Sequence, residues 1–137
     1  MAESRRAAPT VLTPHAGELG RLLGRESAWV GEHRLEAARA AADSFGANVL
    51  LKGADTLVAA PDGSVVVCDI GPPSLATAGT GDVLTGVVAS FLSKGLDAPI
   101  AAAAAAVAHG RAARLVPHAS GLVAGDLLAA LPSALDA

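Results

Sequence analysis

Short β-prone runs alternate with helix-periodic runs along this chain, with glycine or proline at most of the boundaries, and that alternation limits the folds open to it. Ala8 to Thr13 is β-prone and stops at Pro14, which cannot donate a ladder hydrogen bond. Glu18 opens a helix with Leu19, Leu22 and Leu23 at helical spacing and Gly24 as its C-cap. A second helix is predicted over Glu32 to Phe45, with Gly46 just beyond, leading into a short apolar strand from Asn48 to Leu51. Thr56 to Ala60 and Val65 to Asp69 read as a β-hairpin about Pro61-Asp62-Gly63. Three more helices follow: Gly79 to Lys94, Pro99 to about Val116, and Ala124 to Leu131. Strand-helix-strand connections in this order predict an α/β sheet with helices on its faces.

A length of 137 residues allows one domain at most. Its apolar mass is mostly Ala, Val and Leu, and Trp29, Phe45 and Phe91 are the only aromatic rings, so the core must pack small side chains closely. A net charge of -3 lacks the basic footprint of a nucleic-acid binder. Cys68 stands alone, which excludes an internal disulfide and a Cys-rich zinc pattern and makes the cytoplasm the expected compartment. Met1 to Arg6 is charged and is not followed by the apolar run of a signal peptide. No stretch reaches the ~18 uninterrupted apolar residues of a membrane span, so no membrane partner is expected.

The most informative segment is Ala76-Thr77-Ala78-Gly79-Thr80-Gly81-Asp82-Val83-Leu84, a small-residue loop running into an amphipathic helix. Unpaired first-turn N–H groups and the positive helix end converge there, which makes an anion site. Asp82 has two local readings: a helix cap, or a general base that deprotonates a hydroxyl during phosphoryl transfer. Lys52-Gly53-Ala54-Asp55-Thr56 follows a strand end, where ligands of open α/β sheets bind, although a solvated lysine turn is the favoured reading on local grounds alone. Thr13-Pro14-His15-Ala16-Gly17-Glu18 places His15 in a loop and Glu18 at a helix start. His33, His109 and His118 have no partner at ligand spacing and read as helix-surface or helix-end residues, so no metal site is expected. Arg111 and Arg114 share a helix face, where ion-paired or solvated roles are the default.

Together the segments Thr13 to Glu18, Lys52 to Thr56 and Ala76 to Leu84 resemble, in order and separation, three signatures of one family. These are T-P-H-x-G-E, L-K-G-x-x-T and A-T-x-G-T-G-D-V-L of the ADP- or ATP-dependent NAD(P)H-hydrate dehydratases, in the ribokinase-like superfamily. The resemblance implies a three-layer α/β/α sandwich, of which residues 1–137 would be a single partial domain, the C-terminal half, with a β-hairpin and C-terminal helices. It implies a carbon-oxygen lyase that returns hydrated NADH or NADPH to the normal cofactor at the expense of ADP or ATP, with Mg2+ on the nucleotide phosphates. Asp82 would be catalytic. Lys52, Gly53, Ala54, Asp55, Thr56 and Gly81 would hold the AMP portion of the nucleotide. Ala78, Gly79, Thr80 and Gly81 would form the anion hole, and His15 and Asp82 would contact the hydrate.

Ala78 departs from the family pattern, which has Gly there, and is tolerable only if its φ is negative. The family's domain is about twice this length, and its first half would carry the first strands, an Asp-Ala-Asp segment and a G-x-G-x-G segment. A chain with the sheet cut at this point is expected to be marginal, homo-oligomeric or completed by an N-terminal half. Two other functions share these residues: a ribokinase-like kinase acting on a vitamin precursor, and a non-catalytic nucleotide-binding remnant. The T-P-H-x-G-E segment favours the dehydratase.

Overall fold

The computed structural model describes residues 7–136, so the charged run Met1 to Arg6 lies outside the described residues. Val11–Leu12 (β1) pairs in parallel with Asn48–Leu51 (β2), with Val11 opposite Asn48 and Leu12 opposite Val49. The first strand is thus shorter than Ala8 to Thr13. Pro9 and Pro14 bracket it and have no N–H to give to a ladder. Pairing nevertheless continues on each side of β1 through carbonyls. The Thr10 oxygen accepts from the Asn48 N–H at 3.1 Å, and the Pro14 oxygen accepts from the Lys52 N–H at 2.9 Å.

A parallel pair needs a crossover, and three helices supply it: Ala16–Leu23 (α1), Ser27–Glu32 (α2) and Arg34–Phe45 (α3). The helix expected from Glu32 instead begins at Arg34, and α2 has no counterpart in the sequence pattern. It is one short stretch containing Gly31, it buries only Val30, and it has no side-chain cap. His33 separates the two, with φ -126° and ψ 43°, and its N–H bonds the Trp29 carbonyl at 2.9 Å.

Asn48–Leu51, Thr56–Ala59 (β3) and Val65–Cys68 (β4) form an antiparallel run, and the four strands lie in the order β1-β2-β3-β4. The hairpin turns where expected. Gly63 has φ 87° and its N–H bonds the Ala60 carbonyl, while Asp62 Oδ1 accepts from the Ser64 N–H and hydroxyl. Successive residues of a strand face opposite sides. Val49, Leu51, Leu57 and Ala59 therefore pack on one face with Leu19, Val30 and the alanines of α3. On the other face Leu50 and Val58 pack on Leu84, Val87 and Val88 of Thr80–Ser93 (α4) and on the alanines of Ala98–Leu115 (α5). The result is a three-layer α/β/α sandwich.

A third core joins α5 to Ala124–Leu135 (α6) through Ala112, Ala113, Leu122, Leu127 and Ala134. This last helix runs past its expected end at Leu131. Pro132 lies exposed within it, so the carbonyl it leaves without a helical partner, that of Leu128, meets water rather than core. Among the described residues no helix is long and apolar enough to cross a membrane.

Small residues let α5 lie directly on backbone. A Cβ on Gly110 would stand 2.7 Å from Ile70 Cγ2 and 3.1 Å from the Gly71 nitrogen, in the segment that leads from β4 toward α4. Gly110→Ala should therefore destabilise the chain by about 1–3 kcal/mol through overpacking. Gly86→Ala, at an exposed position of α4 with open space around it, should stabilise by about 0.5–1 kcal/mol through helix propensity. Denaturant unfolding of the two variants beside the parent checks both signs.

Candidate functional site

The ends of β1 and β2 and the start of α4 surround a cavity of about 710 Å³. Its walls include His15 after β1, Lys52, Gly53, Ala54 and Thr56 after β2, and the unbroken run from Leu75 to Asp82. The three segments singled out in the sequence are therefore neighbours in space.

The turn before α4 is held by its own side chains. Thr80 is buried, and its Oγ1 lies 2.7 Å from both the Leu75 and the Thr77 carbonyl oxygens. Gly79 is the N-cap of α4 with φ 84°, a conformation that glycine adopts without strain. No described residue other than glycine has positive φ, so the methyl group of Ala78 is accommodated. The Thr80 N–H is committed to the Thr77 carbonyl at 3.3 Å and the Asp82 N–H to the Gly79 carbonyl at 3.2 Å. Among the described residues nothing accepts a hydrogen bond from the N–H groups of Gly79 or Gly81, and both residues line the cavity. The Ala78 N–H, on the same wall, has no acceptor either, so of the residues expected in the anion hole Ala78, Gly79 and Gly81 have free donors, whereas Thr80 uses its N–H within the turn.

Asp82 sits exposed in the first turn of α4 on the cavity wall. The helix has no side-chain cap, and among the described residues the Asp82 carboxylate has neither hydrogen-bond nor ion-pair partner. It does not cap the helix. What remains is a carboxylate free to accept a proton, on the same wall as the free N–H donors.

The T-P-H-x-G-E spacing is a capping box. His15 is the N-cap of α1, and its Nδ1 accepts from the Gly17 N–H at 3.0 Å and the Glu18 N–H at 3.2 Å. Glu18 Oε2 in return accepts from the His15 N–H at 2.8 Å. Because Nδ1 accepts, the proton of the neutral ring lies on Nε2. Glu18 also lies 3.7 Å from Lys52 Nζ. The backbone N–H of His15 and, after an opposing effect of burial, the Lys52 ammonium hold the Glu18 carboxyl below its ordinary value. Lys52 Nζ lies 3.0 Å from where a Cβ on Gly81 would stand, so only glycine fits there without moving it.

Lys52 to Thr56 is fastened from α3. Arg34 donates from Nη1 to the Lys52 carbonyl at 3.3 Å and from Nη2 to the Asp55 carbonyl at 2.7 Å, and Nη2 also lies 3.6 Å from Asp55 Oδ1. Its guanidinium fills the space a Cβ on Gly53 would need. Asp55 is thereby turned to Arg34 and does not line the cavity, unlike the other four residues of its segment.

His109 overturns its expected place on a helix surface. It is 6% exposed, lines the cavity, and its Nε2 lies 2.8 Å from the Thr80 carbonyl oxygen. A signal was present, since Ala105, Ala106, Ala112 and Ala113, three and four residues away on each side, are all buried on the same face. Arg34 gave no comparable signal, because its partners lie 18 and 21 residues along the chain. His118, by contrast, is exposed near the start of α6, with Nε2 3.4 Å from Asp126 Oδ2.

Glu18 gives the site a pH signature. Its folded pKa lies below the ordinary 4.5, so its contribution to stability is complete above that pH and is lost as pH falls through the folded pKa. Glu18→Gln should lower the melting temperature modestly at neutral pH, with the gap to the parent closing on acidification below about 4.5. Thermal melts of both proteins between neutral pH and pH 3 measure it; a gap that widens on acidification would contradict this assignment.

Comparison with known proteins adds the lineage. The sequence model described as NAD(P)H-hydrate dehydratase matches residues 1–134. The bifunctional NAD(P)H-hydrate repair enzyme of Moorella thermoacetica is 48% identical over 93% of this chain and 24% of its own length. The ADP-dependent (S)-NAD(P)H-hydrate dehydratase of Neisseria meningitidis is 46% identical over 85% of this chain and 40% of its own. The crystal structure of the ADP/ATP-dependent NAD(P)H-hydrate dehydratase from Bacillus subtilis, co-crystallised with ATP and Mg2+, superposes with a TM-score of 0.92 and 33% identity. The match covers 99% of this chain and 50% of that one. The architecture is ribokinase-like. With its three motifs gathered on one cavity, the chain belongs to the NAD(P)H-hydrate dehydratase family and spans half or less of each of these relatives.

Proposed function

We propose that this chain supplies the nucleotide-binding and phosphoryl-transfer part of a domain that dehydrates NAD(P)H-hydrate at the expense of ADP or ATP. The carrying observation is the unpartnered Asp82 carboxylate beside the free N–H groups of Gly79 and Gly81 on one cavity wall. A base and an anion-binding turn side by side suit the transfer of a phosphoryl group to a hydroxyl.

In this reading Lys52, Gly53, Ala54 and Thr56 hold the AMP portion of the nucleotide, with Arg34 fixing their backbone. Asp55 serves the segment through Arg34 rather than by touching the nucleotide. Asp82 takes the proton as the hydrate's hydroxyl oxygen bonds to the terminal phosphorus and the phosphoanhydride bond breaks. The N–H groups of Gly79 and Gly81 stabilise the charge on the transferring oxygens. The phosphorylated intermediate then loses inorganic phosphate with cleavage of its carbon-oxygen bond, and loss of a proton from the neighbouring ring carbon re-forms the double bond. The elements of water leave in the phosphate, so the balance closes without redox chemistry. His15, which lines the cavity with Nε2 3.5 Å from Glu18 Oε1, contacts the hydrated nicotinamide in this reading.

Mg2+ fits this arrangement as a passenger on the nucleotide. Asp82 is the only carboxylate on the cavity wall, and the described residues hold no cluster of three or more metal-ligating side chains. Mg2+ commonly keeps its waters and binds through substrate phosphates with one or two carboxylates. Bound there, it would neutralise phosphate charge. A cytoplasmic location is part of this proposal. Residues 1–137 form one partial domain in this proposal, and turnover needs the preceding half of that domain.

The test pairs this chain with the preceding half of the Neisseria relative's dehydratase domain, expressed separately. ADP or ATP should raise the melting temperature of the chain, and the pair should release phosphate only when NAD(P)H-hydrate is present, with return of reduced-nicotinamide absorbance. Asp82→Asn should lower that release by about 10²–10⁴-fold while nucleotide binding persists. Release unchanged in the variant overturns the role of Asp82. A stable phosphorylated product identifies a kinase, and nucleotide binding with no turnover in the pair identifies a remnant.

A further inference from the structure

The peptide group joining Thr80 to Gly81 has one end in the cavity and the other against α5. Its N–H, on Gly81, is one of the free donors of the turn before α4. Its carbonyl, on Thr80, lies 2.8 Å from His109 Nε2. A carbonyl only accepts, so Nε2 carries the proton and donates.

We propose that His109 is a positioning residue for this site: by donating to the Thr80 carbonyl it orients and polarises the peptide whose other end offers the Gly81 N–H to a bound anion. A hydrogen bond received at the oxygen of a peptide group draws charge from its N–H and makes that N–H a stronger donor. Orientation matters as much. The backbone bonds that fasten the start of α4, from Thr80 to Thr77, from Asp82 to Gly79 and from Val83 to Gly79, are 3.3, 3.2 and 3.3 Å long. These, the bonds that cross from the loop into the helix, are longer than the common 2.9–3.0 Å. The short bond from His109 comes from a different helix. Its next residue, Gly110, lets α5 touch the backbone at Ile70 and Gly71, so one step of α5 braces both ends of the cavity wall between them.

The surroundings suit a neutral donor. Burial pushes the ring below the ordinary imidazole value of 6.5, more than the Thr80 bond pulls it up. The residue is 6% exposed, and its neighbours on that face of α5, Ala105, Ala106, Ala112 and Ala113, carry no side-chain donor. The effect on turnover rests on the dehydratase reading above; the hydrogen bond and its effect on Gly81 do not.

Two measurements on the full chain separate the questions. In ¹⁵N-labelled protein at neutral pH, the His109 ring should be neutral with its proton on Nε2. His109→Phe, which keeps a ring and loses the donor, should move the Gly81 amide proton upfield. His109→Gln, whose amide reaches about as far as Nε2, should return it toward the parent position. A proton on Nδ1, or a Gly81 amide unmoved in the Phe variant, overturns the proposal, and neither result depends on a ligand. Calorimetric titration with ADP should then show affinity weakened about tenfold in the Phe variant and restored to within about threefold by Gln. Equal affinity in a folded Phe variant also overturns it. If the parent binds no ADP, the dehydratase reading fails while the amide measurement still decides the role of His109. Should the Phe variant not fold, His109→Asn, whose amide is too short to reach Thr80, takes its place with the same expected losses.

Discussion

The parallel pairing of β1 with β2 fixes the geometry of everything at the site, because it places Lys52. Val49 and Leu51 face the layer of α1 to α3, and Leu50 faces α4 and α5. By the same alternation Lys52 leaves the sheet on the α4 side, where its ammonium meets Glu18 and backs onto Gly81. A slip of one residue would send it to the other layer and take Leu50 out of its core. The register is pinned beyond the two paired residues by the Pro14 carbonyl, which accepts the Lys52 N–H. The T-P-H-x-G-E turn and the Lys52 segment are consequently one unit. The Thr13 and Thr85 hydroxyls, 3.0 Å apart, carry that unit across to α4.

Much of this was legible because it is local. The Gly63 turn, the Gly24 and Gly46 caps, and the layer assignments follow from residue types a few positions apart. The T-P-H-x-G-E spacing can even be read as a capping box once histidine is allowed as the cap. The unread elements depend on distance. Nothing near Arg34 distinguishes it from the other charged residues of α3, yet it anchors two carbonyls in the Lys52 segment. Nothing near Ser27–Glu32 has helical periodicity, and only the tertiary burial of Val30 and the chain reversal at His33 make it a helix. Asp82 lies between these cases. Its type and place suit a cap as well as a base, and the choice rests on a partner it lacks.

The scarcity of aromatic rings and the abundance of alanine have a mechanical consequence here. A helix of alanines brings its axis close to whatever it packs on, and α5 uses this to set its backbone within reach of the Ile70–Gly71 strand exit. In such a helix a single polar side chain is conspicuous energetically. Burying an imidazole without a partner costs roughly 1–3 kcal/mol, so His109 is tolerated because Thr80 accepts from it. The dependence also runs the other way. A close-packed alanine layer has little freedom to readjust, so the direction in which His109 delivers its proton is set by the core and not by the ring's own rotamer preferences.

The cavity therefore has two kinds of wall with different physical demands. The Lys52 side is braced by charge, through Glu18 and Arg34, both of which keep part of their side chains in water. Such contacts are screened and individually weak, which on the proposed function suits a segment that adjusts to a nucleotide. The Gly79–Asp82 side is braced by buried neutral hydrogen bonds from Thr80 and His109, which salt does not screen. Developing charge on a transferring phosphoryl group is best met by dipoles that need not move when it appears. On the proposed function, an adjustable wall for the nucleotide and a fixed one where charge would change is the division that phosphoryl transfer asks of a site.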